Sequence, residues 1–191
     1  VLSTILIFFT YYLMSVSITA TRRQQELELI SNTDSLTGIS NRRHIERRLK
    51  EEFKRYQKTG IEFAVIMSDI DFFKKINDRY GHDCGDKILI EIVKDISRAV
   101  RSNDTVARWG GEEFIILLPA TNSEHAATLA ERIRKTISEN RYDCSGDLIS
   151  VTLTLGVSVT VPGDTMSDII KRADVALYYG KQKSRNCVVI S

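Results

Sequence analysis

The pattern of apolar and polar positions changes character several times along the chain. The first twenty residues, VLSTILIFFTYYLMSVSITA, carry no charged side chain, and Arg22 and Arg23 come almost directly after them. About 20 apolar residues just span a bilayer as a helix. Basic residues immediately after a span keep the next segment in the cytoplasm. Residues 1–21 are therefore expected to form a transmembrane helix. Because the chain begins with Val, this helix is read as the end of a truncated sensor region. A signal peptide and a buried helix are the other readings. The first lacks its basic start and the second its polar stripe. Residues 22–33, RRQQELELISNT, are polar and helix-prone and predict a connecting signalling helix. Leu27 and Ile30 are too few apolar positions for a coiled coil.

From Asp34 onward the pattern is that of one folded domain, 34–191. Ile45, Leu49 and Phe53 mark one face of a helix over about Arg42–Lys58, which Thr59-Gly60 ends. IEFAVIMS, 61–68, is an apolar strand leading into Asp69-Ile70-Asp71. Ile88, Ile92, Ile96 and Val100 define a helix over about Gly85–Arg101. Two β-rich runs, Thr105–Trp109 and Glu112–Leu118, are separated only by Gly110-Gly111. That spacing predicts a tight hairpin with positive φ at its centre. Then come a helix (about Ser123–Asn140), an alternating strand (about Leu148–Val161), a helix (about Ser167–Lys183) and a short strand (Cys187–Ile190). Read from Ile61 the order is β-α-β-β-α-β with an added helix and strand. The expected class is α+β, a ferredoxin-like sheet with helices packed on it.

Composition narrows this little. The chain is 42% hydrophobic and 27% charged, which suits a globular domain. A net charge of +2 gives no ground for a nucleic-acid binder. Cys84, Cys144 and Cys187 are far apart and odd in number. They suggest neither a disulfide framework nor a metal-ligand set, and a reducing compartment is the expectation.

The chemistry concentrates at strand ends. Asp69 closes a buried strand, and Glu112-Glu113 open another after the glycine turn. Side chains alternate along a strand, so the two glutamates should point to opposite faces if both are extended. Converging carboxylates would form an oxygen-rich site suited to Mg²⁺, which binds through one or two carboxylates plus substrate phosphates. Solvated strand ends are the other reading, and spacing alone does not choose between them. The stretch Phe72-Phe73-Lys74-Lys75-Ile76 reads as a strand-to-helix junction, whose free N–H groups can receive phosphate oxygens.

Five stretches taken together settle a resemblance: DSLTGISNRR (34–43), DIDFFKKINDRYGHDCGD (69–86), RWGGEEF (108–114), TLTLGV (152–157) and ADVALYYGKQKSRN (173–186). In this order the chain resembles the GGDEF family of diguanylate cyclases, in its GGEEF variant. The resemblance implies a palm-like fold and the condensation of two GTP into cyclic di-GMP with release of two pyrophosphates. It implies a homodimer in which each 3′-hydroxyl attacks the opposite α-phosphate, and a divalent metal, Mg²⁺ or Mn²⁺. Together with the expected span over residues 1–21, it leads to a bacterial inner membrane with the catalytic domain in the cytoplasm.

By position, Asp69, Glu112 and Glu113 become the catalytic acids. Asp69, the Ile70 carbonyl, Glu112 and Glu113 become metal ligands, with Glu112 the base for the 3′-hydroxyl. Asn77 and Asp86 would read guanine. Phe72, Phe73 and Lys74 would wrap the phosphates, Gly110 and Gly111 would let the backbone approach, and Lys181 and Arg185 would neutralise phosphate charge. Arg101 and Asp104, with Arg132, match an inhibitory site for the product. Asp86 as a helix N-cap, Asn77 as a turn residue and Arg101/Asp104 as a surface pair are the plainer readings. Four positions depart from the family's usual residues: Gly180 for Ala, Ser184 for Gly, Thr154 for Ser and Trp109 for Tyr. The alternative function is a non-catalytic module that binds GTP or cyclic di-GMP.

Overall fold

The computed structural model describes Met14, residues 32–144 and residues 146–191. The helices expected over 1–21 and 22–33 lie outside the described residues, apart from Met14 and positions 32 and 33. Among the described residues no helix is long and apolar enough to cross a membrane.

Among the described residues, five helices and eight strands succeed one another. They are β1 (Ser40–Asn41), α1 (Arg42–Thr59), β2 (Ala64–Ile70), α2 (Phe73–Tyr80), α3 (His82–Ala99), β3 (Thr105–Arg108), β4 (Glu113–Leu118), α4 (Ser123–Glu139), β5 (Tyr142–Cys144), β6 (Asp147–Ile149), β7 (Leu153–Val159), α5 (Met166–Lys183) and β8 (Val188–Ile190). Six strands form one sheet in the order β1-β3-β4-β2-β7-β8. The outer pairs β1–β3 and β7–β8 are parallel and the inner pairs antiparallel. The inner four strands with α3 and α4 are the β-α-β-β-α-β unit expected from the sequence.

The central strand is apolar because both of its faces are covered. Every residue of β2 is buried. Ala64, Ile66 and Ile70 pack with α3 and α4 through Ile88, Ile92, Ile96 and Ile133. Val65 and Met67 point the other way, toward Ile45 and Leu49 of α1 and Ile169 and Leu177 of α5. Alternation along one strand therefore serves two cores. The helix ends obey local chemistry. Asn41 caps α1 by accepting the His44 N–H, and Gly60 closes it at φ 69°. Thr165 and Asp168 form a reciprocal capping box at the start of α5.

Several expectations are corrected. The run 148–161 is not one strand: β6 pairs with β5 in a separate two-stranded sheet, and β7 begins at Leu153. Phe73–Tyr80 is a helix of its own. Gly81, at φ 85° and ψ 161°, breaks it from α3, which starts at His82 rather than near Gly85. Asp86 thus lies inside α3 and is not its cap. The hairpin loop is four residues, Trp109–Glu112, and neither Gly110 nor Gly111 has positive φ. The Trp109 and Gly110 N–H groups both donate to the Glu113 carbonyl, at 2.8 and 3.3 Å, and this closes the loop without a mirror-image turn. Cys84 and Cys144 are paired as a disulfide with Cα atoms 5.5 Å apart, and Cys187 is free. The unforeseen β5–β6 hairpin is what brings Cys144 against the start of α3.

One glycine is forced by packing. A Cβ at Gly156 of β7 would overlap the Ala173 carbonyl and the Leu177 N–H of α5. Backbone atoms cannot swing aside, so α5 can lie this close to the sheet only over glycine. Gly156→Ala is expected to cost about 1–3 kcal/mol, measured as a lowered urea midpoint at unchanged m-value.

Candidate functional site

The carboxyl end of β2 carries the site. Asp69 stands opposite Glu113 of β4 on one side and Thr154 of β7 on the other. Directly opposed residues of antiparallel strands share a face. Asp69 and Glu113 therefore both project on the α5 side, as Met67 and Ile115 do one step deeper. The Ile70 N–H donates to the Glu112 carbonyl at 3.3 Å, which holds the loop residue beside the strand end. Lys181, from the last turn of α5, places Nζ 2.6 Å from Asp69 Oδ2.

Burial pushes the Asp69 carboxyl up, to about 6; the Lys181 ammonium opposes the rise, and Glu112 and then Glu113 add to it. A buried acid repelled by two neighbouring acids calls for a cation. Among the described residues no three His, Cys, Asp or Glu side chains gather closely enough to hold a metal alone. The donor set is thus a few carboxylate oxygens and a strand-end carbonyl. It fits a hard divalent ion that completes its shell from water and a ligand's phosphates, and would not suit a closed structural metal centre.

The elements expected to face phosphate adjoin this strand end. Phe72 comes directly after it at φ 57° and precedes α2, whose first turn includes the N–H groups of Phe73 and Lys74. Those groups have no acceptor within the helix. Phe73 is buried, and Phe72 is half exposed. Lys75 Nζ and the Arg185 guanidinium lie over the Phe72 ring, 4.4 and 4.5 Å from its centre. Arg185, at φ 53°, turns the chain after α5 back toward this ring.

The two residues expected to read the base lie around the break at Gly81. Asn77 sits in the last turn of α2, and Asp86 is exposed in α3. Asn77 Oδ1 is the one buried side-chain polar atom among the described residues without a hydrogen-bond partner. An orphaned buried amide oxygen is costly unless a ligand serves it. Gly85 makes room for it, since a Cβ there would overlap that oxygen. The sequence pattern alone does not single out Gly85, although it lies within the stretch 69–86.

The loop Trp109–Glu112 is fastened by Arg108. Its guanidinium donates twice to the Gly111 carbonyl, at 3.1 and 2.8 Å, and reaches Asp34 Oδ1 at 3.2 Å. Asp34 also accepts from the Thr37 N–H and hydroxyl. A Cβ at Gly110 would overlap the Glu113 carboxylate, so this glycine gives the acid its space. Gly111 faces open space. Gly180 is also packed tight: a Cβ there would stand 2.6 Å from Thr154 Cγ2. Ser184, at φ −149°, needs no glycine.

Arg101, Asp104 and Arg132 come together elsewhere. They line a hollow of about 110 Å³ with Ala99, Leu118 and His125. Asp104 accepts the Arg101 N–H at 2.8 Å, and Arg132 donates to the Ala99 carbonyl at 2.5 Å. This hollow lies at the far end of the β3–β4 hairpin from the glycine loop.

Residues 31–187 match the family described as diguanylate cyclase, GGDEF domain. The response regulator PleD of Caulobacter vibrioides is 41% identical over 160 residues, which are 82% of this chain and 35% of that one. The coiled coil and GGDEF domain of DgcB from Caulobacter crescentus, solved with c-di-GMP, superposes with a TM-score of 0.87 at 28% identity. The match covers 96% of this chain and 99% of that one. An active GGEEF domain of a diguanylate cyclase from Vibrio cholerae gives 0.74 at 37% identity, covering 78% and 96%. The chain belongs to the GGDEF-domain diguanylate cyclase family. It spans about a third to a half of the length of the curated relatives it matches first.

Arg108→Ala should loosen the glycine loop. Losing charged hydrogen bonds worth about 1.5 kcal/mol should speed amide exchange at Trp109–Glu112 roughly tenfold, with exchange in β2 unchanged by mass spectrometry.

Proposed function

We propose that this chain condenses two GTP into cyclic di-GMP and two pyrophosphates. The observation that carries the reading is the buried Asp69 at one strand end, paired with Lys181, near enough to Glu112 and Glu113 to be repelled by both, and beside the α2 N-terminus. A divalent ion, Mg²⁺ or Mn²⁺, bound by Asp69, the Ile70 carbonyl, Glu112 and Glu113 would offset phosphate charge and favour ionisation of the 3′-hydroxyl. Glu112 takes the 3′-hydroxyl proton. The new bond joins that oxygen to the α-phosphorus of the opposite GTP, and the bond to the β-phosphate oxygen breaks. Phe72, Phe73 and Lys74 cradle the phosphates, Lys181 and Arg185 balance the leaving pyrophosphate, and Gly110 and Gly111 keep the approach open. Asn77 Oδ1 accepts from the guanine edge, and Asp86 takes its other donors.

A single site holds one GTP, so two copies meet face to face in a homodimer, and orientation is the dimer's contribution. Anchoring through residues 1–21 at the bacterial inner membrane, with 34–191 in the cytoplasm and 22–33 relaying a sensor's state, completes the reading. The hollow at Arg101, Asp104 and Arg132 supports product inhibition, since arginine suits stacked and bidentate contacts with guanine. That same hollow favours one alternative, a non-catalytic module that only binds cyclic di-GMP or GTP.

Glu112→Ala should lower cyclic di-GMP formation at least about a hundredfold while the chain stays folded; normal product from the folded variant would sink the cyclase reading. Arg101→Ala should leave the initial rate intact and raise the cyclic di-GMP concentration for half inhibition by about tenfold or more. An unchanged inhibition curve would make the hollow a surface feature.

A further inference from the structure

The acid that the reaction does not use is Asp71. It is buried, 5% exposed, one step past the end of β2. Its carboxylate collects three donors from distant segments. The Thr154 hydroxyl donates to Oδ1 at 2.7 Å, the Thr152 hydroxyl to Oδ2 at 2.7 Å, and the Asn186 N–H to Oδ2 at 2.9 Å. Its own N–H donates to the Thr152 carbonyl at 2.9 Å. No cation pairs with it among the described residues, so these hydrogen bonds hold the charge.

The three segments so joined are those that build the phosphate side of the site. Asp71 leads into Phe72, which opens the α2 cradle. Asn186 is preceded by Arg185. Thr154 stands opposite Asp69 in register. Four non-glycine residues among those described have positive φ, and three of them, Phe72, Arg185 and Asn186, flank these contacts. Such conformations persist only where the surroundings fix them. The Arg185 guanidinium then lands on the Phe72 ring.

We infer that Asp71 is a positioning residue: it clamps the Arg185 turn to the phosphate loop, so that both walls of the triphosphate site are set before GTP arrives. The role rests on the cyclase reading. It is conformational, because the donors that the carboxylate accepts all come from the protein itself. Asparagine has nearly the same shape and can still accept the Asn186 N–H, while a threonine hydroxyl can turn to accept from its amide. Alanine can do neither.

The test uses the whole chain with Mg²⁺ and a non-hydrolysable GTP analogue. Asp71→Ala should weaken analogue binding by calorimetry, and raise the GTP KM, about tenfold, with kcat within about threefold. Asp71→Asn should stay within about threefold of the native affinity. Binding of cyclic di-GMP at the Arg101 hollow should not move. In a double-mutant cycle, Arg185→Ala should cost far less affinity when Asp71 is already Ala. A lower Tm with unchanged KM and affinity, or strictly additive losses, would overturn the role and reduce Asp71 to a fold residue. If Asp71→Ala does not fold, Thr152→Val, which removes one donor, should raise KM about threefold; an unchanged KM there overturns the role equally. A native chain that binds no analogue sinks the cyclase reading and this role with it, an outcome distinct from a native chain that binds beside variants that bind as well.

Discussion

Two carboxylates end the central strand of a sheet covered on both faces, and neither can be left there uncompensated. Burying an unpaired charge is costly. The fold answers the two acids differently. Asp71 is saturated by neutral donors and stays fixed. Asp69 meets one ammonium, and two further acids push against it. The first solution makes a rigid corner. The second makes a place where positive charge is wanted. That difference, between residues two apart, separates scaffold from chemistry. It arises because β7 and the residue before it supply hydroxyls at Thr154 and Thr152, while β4 supplies glutamate.

Much of this was legible in the chain. Ile88, Ile92 and Ile96 repeat at helical spacing and are buried. The run from Phe63 to Met67 reads as an apolar strand, and it is buried throughout. The joint motifs singled out Asp69, Glu112 and Lys181, which come together at one strand end. What stayed hidden was made by contacts across long separations. Thr152, Thr154 and Asn186 lie 81, 83 and 115 residues from Asp71, and no local pattern links them. The α2–α3 break was hidden because Gly81 takes an extended, positive-φ conformation inside an otherwise helical run. The hairpin 142–149 was hidden because its strands are three residues each, too short for alternation to register.

The two ends of the β3–β4 hairpin carry different business. The glycine loop at one end is tied through Arg108 to Asp34, in the turn where the domain begins. The Arg101 hollow lies at the other end, under α4. A pair of strands with Ala107, Ile115, Ile116 and Leu117 buried therefore connects the neighbourhood of the starting turn, the acids and the hollow.

Gly180 and Thr154 also belong together. The residue nearest to a side chain at 180 would be the Thr154 methyl, and the hydroxyl of that same threonine is bonded to Asp71. The resemblance leads one to expect alanine and serine at these two positions, and both departures meet at this one contact. A side chain at 180 would press on a methyl that has little room to turn, because the hydroxyl of the same threonine is held by Asp71. The distance of α5 from β7 is thus linked, through one threonine, to the buried acid beside the site.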